Sequence, residues 1–268
     1  MDQFADKVLL VTGAGVLAAE APFEALPVVA ALVGTAAVVA SANAWNMVLE
    51  RDADALMART RSRPLAAGRL APRTAIVVAS ALGLGGTLVL GLGANLLTAT
   101  LGLAALVAYA FIYPPMKRRS PFALHVGAFA GAVPPLLGVT ALTPGAPEPG
   151  LWLALAVWVW QFPHFLAIAQ RRRDDYAAAG IRAWSVVHGE DSTRRLARVT
   201  AIALVPVSLA PALAGVTALW TALALALLGA WLAWSAWSPR DWARPTFLAS
   251  LAYLPAVPLV LGLERIAR

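Results

Sequence analysis

Apolar runs of about 20 residues, the length that crosses a bilayer as one helix, recur along almost the whole of this 268-residue chain, and charge is confined to a few blocks between them. Backbone polar groups in lipid can be satisfied only within helices or closed barrels, and uninterrupted runs of this length suit helices. With 60% hydrophobic residues and a mean hydropathy of +0.72, the chain reads as an all-α, polytopic membrane helical bundle, a single transmembrane domain over residues 1–268. Hydropathy windows place spans near Lys7 to Ala19, Ala25 to Leu49, Thr74 to Gly93, Asn95 to Tyr113, Phe122 to Leu142, Leu151 to Gln170, Ala197 to Gly215, Leu219 to Trp237 and Thr246 to Leu263. About nine transmembrane helices are expected.

The basic residues orient them. Lys and Arg accumulate in short cytoplasmic loops, and here they gather in Glu50 to Arg73, Lys117 to Arg119 and Arg171 to Arg198, with Lys7, Arg240 and Arg244 on the same side; Arg265 and Arg268 alone break the pattern. The intervening connections carry Glu20, Glu24 and Glu148 and no base. The expectation is an integral cell (inner) membrane protein with its charged loops cytoplasmic. The net charge of +7 is then a topology signal and not a sign of nucleic acid as partner.

The densest charged block runs from Asn43 to Leu70. Within it Asn46, Glu50 and Asp54 fall at i, i+4 and i+8, so a helix continuing out of the preceding span stacks them within roughly 80° of arc. Hard oxygen ligands at that spacing suit Mg²⁺, which takes one or two carboxylates and completes its octahedron with water and substrate phosphates. Asp52 points off this face and reads as a solvated or ion-paired neighbour. Arg59, Arg61, Arg63 and Arg69 follow, each a guanidinium fork that matches phosphate oxygens. Arginines alone would fit a cytoplasmic loop; acids in register with them point to a diphosphate site.

A second block ends the sixth span, WQFPHFLAIAQRRRDDYAAAG from Trp160 to Gly180. His164 lies inside the apolar stretch, where an ionisable side chain is a functional candidate by default, although Pro163 frees a carbonyl that His164 or Gln161 could satisfy. Arg171 to Arg173 lie at the cytoplasmic end, with Arg172 a candidate diphosphate contact. Asp175 is a second acid on the same side, suited to a two-metal clamp on a diphosphate. Between the two blocks, YPPMKRRSP offers Tyr113 and Lys117 to the same pocket, while Arg118 and Arg119 read as headgroup anchors. His125 reads as buried and His188 as a loop residue. The acidic loops follow spans two and six, which suggests a duplicated four-helix unit with one extra helix, each half delivering acids to one cavity. Gly13, Gly15 and Ala18 match the dinucleotide pattern G-x-G-x-x-A, but no βαβ alternation follows; these glycines, and Gly127 with Gly131, read as helix-packing positions.

Three segments together resemble a known family. NMVLERDADALMARTRSRPLAAGRL, then YPPMKRRSP with GAFAGAVPPLLG, then WQFPHFLAIAQRRRDDYAAAGI are similar, in order and spacing, to the conserved blocks of the UbiA-type intramembrane prenyltransferases, and within them of the branch that farnesylates protohaem IX. That resemblance implies a bundle of nine transmembrane helices, Mg²⁺ as cofactor, and transfer of a farnesyl group from farnesyl diphosphate to a vinyl group of haem b, with addition of water, giving haem O. It assigns Asn46, Glu50, Asp54 and Asp175 to the diphosphate and metal, Arg59, Arg63 and Lys117 to the basic positions, and His164 to the P-H of the third block. Met47 and Glu50 stand where the wider superfamily often has Asp. Handover to haem A synthase or terminal-oxidase assembly is implied in the same way. Two other readings stay open: a prenyltransferase acting on an aromatic or quinone precursor, and a transporter using the same acids along a substrate pathway.

Overall fold

The computed structural model describes residues 12–19, 24–58, 60–239 and 241–267. Among them α1 (Ala25–Leu49) runs into a short α2 (Arg51–Leu56), and α3 (Pro72–Gly93) follows the basic loop. Next come α4 (Leu96–Val107), a π turn over Ala108–Ile112 and α5 (Tyr113–Arg119), which together make one span. α6 (Ala123–Leu142) completes the first half, and the second comprises α7 (Glu148–Arg171), the short α8 (Arg173–Ala178), α9 (Trp184–Leu213), α10 (Leu219–Ser235) and α11 (Ala243–Ala267). Residues 12–18 are helical ahead of α1.

Seven of the described helices are long and apolar enough to cross a membrane. The chain is an integral, multi-pass membrane protein. Among the described residues the expected count of about nine is neither confirmed nor contradicted: α10, at 17 residues, is a shorter apolar helix, and the expected first span from Lys7 lies in part outside the described residues. The largest boundary difference is α9: a short helical stretch starts at Trp184, the backbone leaves helical geometry at Gly189 (φ 77°, ψ 178°), and the spanning helix then runs from Glu190 and not from Ala197. Hydropathy registers only the lipid-immersed part of a helix, whereas Glu190, Asp191, Arg194 and Arg195 continue the same helix beyond it. Lipid-facing residues such as Leu92, Leu213 and Leu227 stay exposed on the protein surface, as expected where lipid and not a polar solvent is the outer medium.

Each half of the chain closes its own apolar cluster. Val38, Leu90, Leu106 and Leu137 come from α1, α3, α4 and α6, while Val157, Leu204, Leu232 and Tyr253 come from α7, α9, α10 and α11. A third cluster with Ala128, Phe162, Leu166 and Trp242 joins the two. Both halves therefore carry their acidic segment directly after their first helix, α2 after α1 and α8 after α7.

Helices in lipid gain little from the hydrophobic effect between themselves and pack through close approach at small residues. Segment 12–18 meets α6 in this way: a Cβ on Gly15 would stand 2.0 Å from the Pro135 carbonyl oxygen, and one on Gly138 2.2 Å from that of Thr12. Backbone atoms cannot swing aside, so Gly138→Ala is expected to destabilise by about 1–3 kcal/mol or more, read as a lowered midpoint of thermal unfolding in detergent; an unchanged midpoint would rule out this docking. Gly127 and Gly131 serve a different purpose from the expected helix contact. A Cβ on Gly127 would lie 3.0 Å from the Tyr113 ring, and one on Gly131 2.2 Å from Gln161 Oε1, so both make room for side chains.

Candidate active site

The helical hydrogen bonding continues through the junction of α1 and α2: the Glu50 N–H donates to Asn46 O at 2.9 Å and the Asp54 N–H to Glu50 O at 2.8 Å. That continuity puts Asn46, Glu50 and Asp54 on one inward face, 7%, 9% and 2% exposed. Asp52 points away, its side chain 84% exposed and paired with Arg51 at 3.1 Å.

Each inward carboxylate holds a cation. Lys117 Nζ donates to Glu50 Oε1 and Oε2 at 2.9 and 3.1 Å, and Arg63 Nη1 donates to Asp54 Oδ2 at 2.7 Å. The loop after α2 is fastened to the same acid, since Thr60 Oγ1 donates to the Asp54 carbonyl at 2.9 Å. Thr60, fully buried, was not marked by the sequence pattern; its position between the arginines of R-T-R is the signal that could have found it. The Asn46 amide nitrogen is buried and has no hydrogen-bond partner among the described residues, a costly condition for a polar group unless a ligand completes it. Arg59 lies outside the described residues.

Tyr113 and Lys117, one helical turn apart on α5, are delivered by the π turn. Pro114 and Pro115 have no N–H to donate backwards, and Tyr113 N–H reaches Ala108 O, five residues back. Lys117 Nζ then lies 4.3 Å from the centre of the Tyr113 ring. Both residues line a cavity of about 500 Å³ together with His164, Phe165, Arg171, Arg172, Tyr176, Arg182, Trp184 and Phe247. The segments from the two halves meet here, the Arg182 N–H donating to Lys117 O at 2.8 Å.

Asp175 lies across a looser contact, 3.7 Å from Arg172, with both side chains partly exposed. Among the described residues no three His, Asp or Glu side chains converge as a metal-binding group. The oxygen donors that suit a hard cation are thus Asn46, Glu50 and Asp54 on one side, with Asp175 and Arg172 apart from them.

His164, 4% exposed, is stacked between Trp160 and Phe247, with ring centres 4.9 and 5.3 Å away. Gln161 Nε2 donates across to Ala128 O at 2.9 Å and back to Val157 O at 3.2 Å, neither of them the carbonyl that Pro163 frees, and His164 Nδ1 meets Ser250 Oγ at 2.8 Å. Ser250 Oγ also donates to the Phe247 carbonyl at 2.6 Å. The Ser250 carbonyl also accepts from Trp160 Nε1 at 2.9 Å, so one residue fixes both rings. Nothing in the sequence near Ser250 pointed to this, because the contact is made 86 residues from His164. His125 is half-buried in an aromatic group with Phe122, Trp158 and Phe162, more open than the sequence suggested.

Residues 8–252 match the UbiA prenyltransferase family, and the chain belongs to this family of membrane prenyltransferases. A protoheme IX farnesyltransferase from Anaeromyxobacter sp. (strain Fw109-5) is 46% identical over 267 residues, covering 95% of this chain and 89% of the relative. In fold, the chain is similar to an apo UbiA homolog from Aeropyrum pernix K1, with a TM-score of 0.78, 19% identity and coverage of 100% and 99% of the two chains. It is also similar to a UbiA homolog from Archaeoglobus fulgidus bound to GPP and Mg²⁺, with a TM-score of 0.68, 15% identity and 96% of each chain covered.

Proposed function

We propose that this chain transfers a farnesyl group from farnesyl diphosphate to a vinyl group of protohaem IX, with addition of water, giving haem O and diphosphate in the cell membrane with the charged loops on the cytoplasmic side. The observation that carries the reaction class is the interlocked set Glu50–Lys117 and Asp54–Arg63: acids and bases held against each other inside the protein are arranged to be parted by a ligand that carries both a cation and phosphate oxygens. The acceptor rests on the relative whose name states it.

Asn46, Glu50 and Asp54 offer hard oxygens and a buried amide in want of a partner, a set that fits Mg²⁺ arriving with a diphosphate, as the archaeal relative bound to GPP and Mg²⁺ does. Bound there, the metal would neutralise the leaving diphosphate. Lys117 and Arg63 turn from their carboxylates to phosphate oxygens, adding charge-assisted hydrogen bonds where negative charge grows as the C1–O bond breaks. Arg172, which lines the same cavity, extends the cationic surround, and Arg59 is assigned to the diphosphate on the sequence pattern. Tyr113 closes the cavity wall beside Lys117 and, with Phe165, Trp184 and Phe247, keeps water from the allylic cation. The terminal vinyl carbon bonds to C1, water adds its oxygen to the adjacent carbon, and one water proton is lost. His164, which lines the cavity and is held by Ser250, receives that proton.

The deciding experiment gives the detergent-solubilised chain protohaem, farnesyl diphosphate and Mg²⁺ and reads product mass. A hydroxyethylfarnesyl adduct that is lost on chelation and regained with Mg²⁺ is expected. Turnover only with an aromatic acceptor would replace the haem reading by the quinone type, and no turnover with any prenyl donor would favour the carrier. Ser250→Ala should lower kcat by about tenfold without changing KM for farnesyl diphosphate, part of the 10²- to 10⁴-fold typical of proton transfer. A kcat equal to that of the unaltered protein would remove His164 from the proton step.

A further inference from the structure

The cations around the cavity differ in how they are paired. At its acid-rich end Lys117 is held by Glu50, and the neighbouring Arg63 by Asp54. Arg171 and Arg182 also line the wall, and neither has a carboxylate within 4 Å among the described residues, whereas Arg172 lies 3.7 Å from Asp175. Among the described residues no Asp or Glu lines the cavity itself. Arg118, Arg119 and Arg173, from the same two loops, do not line it, so Arg171 and Arg182, although exposed, are set apart from the general surplus of loop arginines by bordering the cavity.

From this asymmetry we propose that Arg171 and Arg182 seat the carboxylates of the acceptor, the two propionates of protohaem, at a subsite adjoining the diphosphate site but distinct from it. The inference rests on the acceptor assigned above. Two anionic substrates have to occupy neighbouring positions. The diphosphate brings its own cation to the acid-rich end, whereas free carboxylates are repelled by Glu50 and Asp54 and drawn to the acid-free arginines, whose forked donors match a carboxylate in two-point contact. Arg171 is held at the rim by Phe247, with its guanidinium carbon 5.5 Å from the ring centre, and Phe247 in turn stacks on His164. A propionate at Arg171 therefore brings the macrocycle edge alongside His164, with Leu124, Leu166 and Trp184 as the apolar and aromatic surface for the ring. The backbone bond from Arg182 to Lys117 ties the segment that carries this subsite to the one that carries the diphosphate site.

The test compares protohaem with its dimethyl ester, which has the same vinyl groups and no carboxylates, on the unaltered chain and on Arg171→Gln and Arg182→Gln. For the unaltered chain the ester should show a KM roughly tenfold or more above that of protohaem, the size of lost charge-assisted bonds. Each variant should raise the KM for protohaem by a similar factor, leave that for the ester unchanged, and leave the KM for farnesyl diphosphate as it was. Three results would overturn the subsite: an ester used as well as the acid, a rise in the farnesyl diphosphate KM in either variant, or no change in any KM, which would make these arginines headgroup anchors. Haem binding is followed separately by absorbance titration without prenyl donor. An unaltered chain that binds neither haem nor ester fails the functional reading itself, whereas one that binds both equally fails only the subsite.

Discussion

Asp54→Ala is expected to reduce prenyl transfer by about 10²- to 10³-fold, the loss found when one preorganised electrostatic group is removed from a site of charge development. Asp54 is the most deeply buried acid of the inward face and holds two things at once: the Arg63 guanidinium through Oδ2 and, through its backbone carbonyl, the Thr60 hydroxyl that ties down the following loop. Alanine keeps the second contact and removes the first, so the loop stays anchored while Arg63 loses its partner and the proposed diphosphate site loses a carboxylate. The measurement is the initial rate of diphosphate release together with product mass, with thermal unfolding to show that the variant is folded. Asp52→Ala is the matched control: two residues away, exposed and paired only with Arg51, it should stay within about twofold of the unaltered chain, as surface ion pairs contribute little. A normal rate for Asp54→Ala, or an equal loss for Asp52→Ala, would detach the inward face from the chemistry.

The difference between Asp52 and Asp54 was legible in the sequence because helical periodicity alone decides it, and the structure keeps that periodicity across the α1–α2 junction. The pairing of tyrosine and lysine at the cavity was also legible, as two residues one turn apart next to a double proline. What escaped is what depends on contacts distant along the chain. Glu50 finds Lys117 67 residues away, and Ser250 fixes His164 from the last described helix; no local pattern announces either. Asp175 shows the opposite limit. Its position after α7 mirrors that of the first acidic segment after α1, yet the chain turns at Arg172 into the short α8, and the carboxylate comes to rest against Arg172. The extent of α9 was missed because a window scale ends a span where the lipid ends, although helical hydrogen bonding does not.

The pair Glu50–Lys117 should separate stability from catalysis. Its side chains are 12% and 18% exposed, so removing one partner leaves a charge stranded in a poorly solvated place. Lys117→Met is expected to destabilise the protein by about 3–5 kcal/mol and to abolish transfer. Glu50→Gln should be milder in stability, because a neutral amide can still accept from Lys117, but should also lose most activity, since it removes a negative oxygen from the metal-facing set. The double replacement Glu50→Gln with Lys117→Met takes away both charges together, and a pair replaced by groups of similar volume is often close to neutral in stability. It should therefore recover most of the unfolding midpoint and none of the turnover. A Lys117→Met protein as stable as the unaltered one would mean that Glu50 is readily rehydrated and that the pair is not a buried clamp. Recovery of turnover in the double variant would mean that the charges serve only each other. The expected pattern, stability restored and activity not, is what a site predicts when its lysine is held by a carboxylate until phosphate oxygens replace it, for then the same ion pair is a structural contact before substrate binds and two separate ligand contacts afterwards.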